Sequence, residues 1–204
     1  IFSKNQSMRY SVIFFVFFII FGNWAQHSTN LNRFSLGVRS TFSAFSDDGT
    51  GLGTGGQFRL RFTPRVNSDW FADYIVVNHQ SIAKSEYLHI GWSVLFYPMN
   101  QQIGRFQPYV LAGHCFDYNK LSINSQPEIY GDRWGSAVQA GLGTHFLLSP
   151  QVDLSLTSQY MVHLTKELTT AYSSTGYTIV EKSGNSFEGH LLTTISINYR
   201  FIKK

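Results

Sequence analysis

A single cysteine, Cys115, stands in a chain of 204 residues. It has no partner for a disulfide framework, and one thiolate is too few for a multi-cysteine zinc or iron–sulfur site. Charge is scarce as well. Asp, Glu, Lys and Arg make up 14% of the residues, against about a quarter in ordinary globular domains, so something else covers the surface a soluble protein would charge. The formal charge of +4 is small and scattered, which excludes the basic footprint of a nucleic-acid binder. No charged low-complexity block is present, which argues against disorder. Helical periodicity of useful length is missing beyond the N-terminal segment, and the mean hydropathy is close to zero; a helical membrane bundle is therefore excluded. What the chain does hold is aromatic side chains, 18 Phe and 11 Tyr, together with 17 Gly. Its length allows one domain, or two small ones.

The N-terminal segment reads as an export signal. Lys4 and Arg9 precede an apolar run from Val12 to Phe21, about half the length a membrane-spanning helix needs. Cleavage is expected after Ala25, so residues 1–25 form the signal and 26–204 the exported domain; a start at Met8, with 1–7 as an upstream artefact, also fits. Removing 1–25 takes away two cations and no acid, lowering the charge from +4 to +2.

The exported part alternates with a period of two. Strands are expected at Arg33–Phe45, Gly56–Thr63, Trp70–Asn78, Glu86–Tyr97, Pro108–Tyr118, Gly135–Leu147, Val152–Leu164 and Gly189–Phe201. In the second, Phe58, Leu60 and Phe62 alternate with Gln57, Arg59 and Arg61; in the last, Leu191, Ile195, Ile197, Tyr199 and Phe201 alternate with His190, Thr194, Ser196, Asn198 and Arg200. About eight strands of roughly nine to thirteen residues suit tilted membrane crossings better than soluble strands, which run nearer five or six. The connections alternate too. Residues 64–69, 99–107 and 148–151 form the shorter set, 99–107 being its weakest member, whereas 46–55, 79–85, 119–134 and 165–188 form a series that is longer on the whole and more polar. Short turns on one side and long loops on the other are a membrane-barrel trait, and the order puts both termini on the short-turn, periplasmic side.

Two faces follow from this pattern. Trp70, Tyr74, Tyr109, Tyr199 and Phe201 lie near strand ends, where an aromatic girdle would meet the membrane interfaces. Arg39, Arg59, Arg61, Asp73, Gln139, Asp153, Gln159 and Arg200 fall on the other face and should pair across a filled, polar lumen. Asp73 and Asp153 are the expected partners of Arg59 and Arg61.

The segments Gly55-Gly-Gln-Phe-Arg-Leu-Arg-Phe62, Pro108-Tyr-Val-Leu-Ala-Gly113, Gln139-Ala-Gly-Leu-Gly143 and Ile195-Ser-Ile-Asn-Tyr-Arg-Phe201 resemble the small outer-membrane β-barrel families of Gram-negative bacteria. The likeness is to OmpA- and OmpX-like architecture, and within it to the outer-membrane barrels of Bacteroidota. It spans residues 26–204 and implies a closed, antiparallel, up-and-down barrel. It also implies outer-membrane lipid and the barrel-assembly machinery as partners, the latter reading a closing strand that ends in an aromatic; here Ile202-Lys-Lys204 follows Phe201, a departure from that signal.

Four motifs bear on chemistry. Gly51-Leu-Gly-Thr-Gly-Gly56 matches G-x-G-x-x-G, but a dinucleotide site needs a helix after it, and a strand follows; a mobile glycine loop leading into that strand is expected. The histidines have no metal-site spacing, so His89, His145, His163 and His190, on the polar face, are expected to hydrogen-bond in the lumen. Cys115 and His114 are strand neighbours facing opposite ways, which leaves a buried structural thiol. His163-Leu-Thr165 with Glu167 resembles the His-x-Ser pair and acidic partner of lipid A deacylases, with Thr in place of Ser. The expectation is a non-enzymatic, monomeric membrane barrel without metal or cofactor. Tyr130, Trp134, Tyr172 and Tyr177 on its long loops would meet a surface ligand or protein. An arginine-lined pore and a deacylase-like hydrolase are the alternatives.

Overall fold

Strand pairing follows chain order almost throughout. The computed structural model describes residues 34–45, 49–79, 82–99, 105–166, 168–173, 176–181 and 189–201. The proposed signal, Glu167 and Ile202-Lys-Lys204 lie outside the described residues. All regular structure among the described residues is strand: β1 Phe34–Phe45, β2 Gly49–Arg61, β3 Val66–His79, β4 Ala83–Phe96, β5 Phe106–Ile123, β6 Gln126–Leu147, β7 Val152–His163, β8 Leu168–Ser173, β9 Gly176–Glu181 and β10 Gly189–Arg200. Eight of them close an antiparallel up-and-down barrel in the order β1-β10-β7-β6-β5-β4-β3-β2, and β8 pairs with β9 in a separate hairpin.

The register fixes the barrel's shape. Phe34 pairs with Leu60, and the row continues through Ser68, Val94, Ala112, Ala140, Tyr160 and Leu191. It returns to β1 at Ala44, ten residues above its start. A stagger of that size over eight strands tilts them by about 40°. At that tilt a strand of 12–14 residues rises about 30 Å, enough to cross the apolar band of an outer membrane.

Alternation assigns the two faces. Leu36, Val38, Ile90, Trp92, Ile195 and Ile197 point outward and are exposed, whereas their strand neighbours are buried inside. Trp70 stacks on Phe58 and neighbours Trp92 along the outer wall. Of the expected girdle residues, Trp70, Tyr74, Tyr199 and Phe201 are outward. Tyr109 is not. It is 3% exposed, turned into the lumen and hydrogen-bonded to Thr157 at 2.6 Å. Its parity is that of Leu111 and Cys115, which the strand-end position alone does not reveal.

The loop expectations need the larger correction. Most of 46–55 belongs to β2, and 119–134 is nearly all strand, with only a two-residue turn at Asn124-Ser125. The glycine motif is therefore strand rather than loop. Its Gly51, Gly53 and Gly55 face inward, and a Cβ on Gly55 would collide with Asp73 while one on Gly53 would run into Ile75. Polar sequence suggests a loop at 119–134; in fact the β5–β6 ribbon keeps its backbone hydrogen bonds after leaving the apolar belt, so polar outward residues there cost nothing. The asymmetry between the rims thus lies in strand length, 18 and 22 residues for β5 and β6, and in the β8–β9 excursion.

Candidate functional site

The lumen is filled by side chains in three tiers. Next to the short-turn rim, Arg59 on β2 grips Asp69 on β3 through two parallel bonds, Nε to Oδ1 at 2.6 Å and Nη2 to Oδ2 at 3.1 Å, and reaches Asp153 on β7 at 3.4 Å. Bidentate geometry of this kind is the strongest form of the pair. A relay runs beside it. Asn67 donates to the Tyr97 hydroxyl at 2.7 Å, and Tyr97 meets His145 Nε2 at 2.8 Å. His145 Nδ1 lies 2.7 Å from Ser155, and Ser155 donates to Asp153 at 3.1 Å. Because Tyr97 already accepts from Asn67, its own proton goes to His145 Nε2. The histidine therefore carries its proton on Nδ1 and donates to Ser155, a direction inferred from the network.

In the middle tier Arg39 lies 3.0 Å from Asp73, an ion pair whose N–H is not aligned as a hydrogen bond. Arg39 also bonds Thr194 at 3.2 Å and covers the Phe71 ring at 4.5 Å. Gln159 donates to Gln139, and Gln139 to Ser93, at 2.9 and 2.8 Å. Apolar side chains complete this packing: Phe71, Ile75, Val77, Met161 and Leu192 in one cluster, Leu95, Tyr97, Tyr109 and Leu111 in another. The interior is mixed rather than purely polar. A cavity of about 20 Å³ remains between Arg39, Gln57, Asp69, Phe71 and Tyr109, room for one water.

The upper tier, toward the long-strand rim, holds His89 on β4, His163 on β7 and His190 on β10. His163 Nδ1 sits 3.2 Å from Asp117 Oδ2, and its Nε2 sits 3.1 Å from His190 Nδ1. The His89 ring lies 6.2 Å from His163 and 6.0 Å from His190 between centroids. Neither His89 nitrogen has a hydrogen-bond partner, contrary to the expectation of a lumen hydrogen bond; His145, His163 and His190 do meet it.

All eight expected lumen residues are inward. Arg39, Arg59, Asp73, Gln139, Asp153 and Gln159 are buried, and Arg61 and Arg200 partly so. The pairing differs from expectation: Asp73 serves Arg39, and Asp69 serves Arg59. No carboxylate among the described residues comes within ion-pair distance of Arg61, while Arg200 lies 3.8 Å from Asp153. Asp69 is a lumen residue that the sequence reading missed, although it shares parity with Asp73 and sits opposite Arg59 in register. Cys115 is fully buried.

The expected contact residues divide between two hairpins. Tyr130 and Trp134 are on the β6 strand, not on a loop. Lys120 covers the Tyr130 ring at 4.8 Å, and Tyr118 donates to Asp132 at 3.0 Å. Tyr172 and Tyr177 pair across β8 and β9 with ring centroids 5.1 Å apart. Gly176 opens β9 at φ +121°, a conformation suited to glycine alone. The deacylase pair is not assembled among the described residues: Thr165 Oγ1 has no hydrogen-bond partner, and the two ring nitrogens of His163 face Asp117 and His190.

No family model matches the chain, and no curated protein matches it in sequence. Solved structures do match the fold. A major outer-membrane protein of Thermus thermophilus aligns at TM-score 0.56 and 12% identity over 83% of this chain and 98% of that one. Neisserial surface protein A aligns at 0.54 and 13%, over 85% and 100%. The N-terminal β-barrel domain of Pseudomonas aeruginosa OprF aligns at 0.53 and 12%, over 82% and 97%. The chain has the fold of the small eight-stranded outer-membrane barrels.

Proposed function

We propose that the chain is an integral outer-membrane barrel with a structural and surface-contact role and no catalytic activity. The observation that carries this reading is the outer wall. Every barrel strand presents exposed large apolar side chains, among them Val38, Leu52, Trp70, Ile90, Val110, Leu142, Leu156 and Ile195, while buried arginine–carboxylate pairs fill the inside. Monomeric soluble proteins rarely expose an apolar patch beyond a few hundred Å²; lipid is the medium that suits a continuous apolar wall.

Outer-membrane lipid and the barrel-assembly machinery are its partners in this reading, with both ends of the barrel in the periplasm and the β5–β6 and β8–β9 hairpins outside. A further ligand or protein would meet Tyr130, Trp134, Tyr172 and Tyr177. A filled lumen favours a plug over an arginine-lined pore, since Arg39 and Arg59 are both engaged with carboxylates.

Cell fractionation with heat-modifiable migration on a detergent gel tests the membrane assignment. Outer-membrane recovery with a heat-dependent shift is expected; detergent-free release with the periplasm would overturn it. Removing residues 119–133 and 168–181 together should leave that shift and abolish surface attachment. Unchanged attachment would end the contact role.

A further inference from the structure

His89, His163 and His190 come from three strands that are distant in sequence, and none is more than 2% exposed. One nitrogen from each ring lies within 4.8 Å of the other two. We propose that this trio is a binding site for a divalent transition-metal ion of the kind that prefers imidazole, with zinc as the reference ion.

Three observations support the site. His89 is fully buried with both ring nitrogens unpartnered, and a buried polar group in that condition needs a partner. Its ring faces two other imidazoles. The hydrogen bond between His163 Nε2 and His190 Nδ1 leaves nothing for His89, whereas one cation can take a lone pair from all three rings. Second, the spacing suits an ion. Zinc–nitrogen bonds of about 2.0–2.1 Å in a tetrahedron set neighbouring nitrogens about 3.3 Å apart, and His163 Nε2 to His190 Nδ1 is already 3.1 Å. His89 has only to swing inward, with no hydrogen bond to lose. Third, Asp117 lies against the far nitrogen of His163 at 3.2 Å. A carboxylate there fixes the proton on Nδ1 and turns the Nε2 lone pair toward the site, as outer-shell carboxylates do at metal sites.

The donor set defines the ion. Three neutral imidazoles suit Zn²⁺, Cu²⁺, Ni²⁺ or Fe²⁺, and an all-nitrogen set excludes Ca²⁺ and Mg²⁺, which require oxygen. Three protein ligands leave a fourth position for water or a small ligand, the pattern of an open site. Tyr87, Met161 and Leu192 belong to the apolar cluster beside it, which keeps competing water away.

The test uses the untagged full chain, folded in detergent micelles, stripped with a chelator and titrated with Zn²⁺ by calorimetry. Co²⁺ serves as an optical probe. One Zn²⁺ per chain is expected, with Co²⁺ giving the visible absorption of a low-coordinate nitrogen site. His89→Gln and His190→Gln, each first shown to keep the heat-modifiable shift, should weaken Zn²⁺ by more than the roughly 10–100-fold expected of Asp117→Asn. His114→Gln, on the outer wall, should bind as wild type does. Equal Zn²⁺ affinity in wild type and His89→Gln, an equal loss in His114→Gln, or displacement of Zn²⁺ by equimolar Mg²⁺ would each overturn the proposal.

Discussion

The two ends of the lumen solve the same problem differently. Near the short-turn rim, Arg59 holds a bidentate carboxylate, and the Asn67–Tyr97–His145–Ser155–Asp153 relay is hydrogen-bonded from end to end, with only the Asn67 Oδ1 acceptor left over. Near the long-strand rim, His89 and Asp117 Oδ1 are buried without hydrogen bonds. A fully satisfied network stiffens and specifies a core, whereas a partly satisfied one is costly unless something else completes it. The lower tier is therefore the part that locks the barrel shut, and the upper tier is the part with capacity to bind.

The largest effect should come from breaking the lower tier. Asp69→Ala leaves Arg59 buried with one carboxylate, Asp153, held by a single contact at 3.4 Å, and removing one partner of a buried pair typically costs about 3–5 kcal/mol. Denaturant unfolding of the barrel in micelles should show that loss, or no folded form at all. A loss below about 1 kcal/mol, the size of an ordinary surface pair, would mean that Arg59 does not depend on Asp69.

The two tiers can be compared directly through their histidines. In chelator-treated protein, His145→Leu breaks the relay at two points and should destabilise by about 1–3 kcal/mol. His89→Leu removes no hydrogen bond and should be neutral or stabilising under the same conditions. Similar losses for both would erase the distinction between the tiers. Tyr97→Phe should sit between them, near 1–2 kcal/mol, because it strands Asn67 and His145 but keeps the ring packing. The smallest effect is expected outside the barrel: Tyr130→Ala removes the exposed contact with Lys120, worth about 0.5–1 kcal/mol at such a site. Barrel unfolding should hardly register it. A large change would show that the β5–β6 ribbon carries barrel stability.

Much of the fold is legible in the chain. Strict alternation such as Phe58, Leu60 and Phe62 against Gln57, Arg59 and Arg61 is enough to assign faces, because the side-chain period of a strand is two and a one-residue error would invert every position. The same rule does not find strand ends. Nearness to an end misplaces Tyr109, where parity decides. Gly49–Gly55 and the polar stretch 119–134 mislead in another way, because glycine and polar residues signal loops only where the backbone lacks another strand to bond.

The single cysteine, the sparse charge and the period-two pattern by themselves determined an all-β chain with one apolar and one polar face, since those properties are local. Which groups meet across the lumen was decided by closure. The ten-residue stagger sets β2 against β3 so that Arg59 faces Asp69, and it carries His89 across the interior to His163 and His190. Those three lie on β4, β7 and β10, at sequence separations no motif spacing encodes, and only a closed and tilted wall brings their rings together.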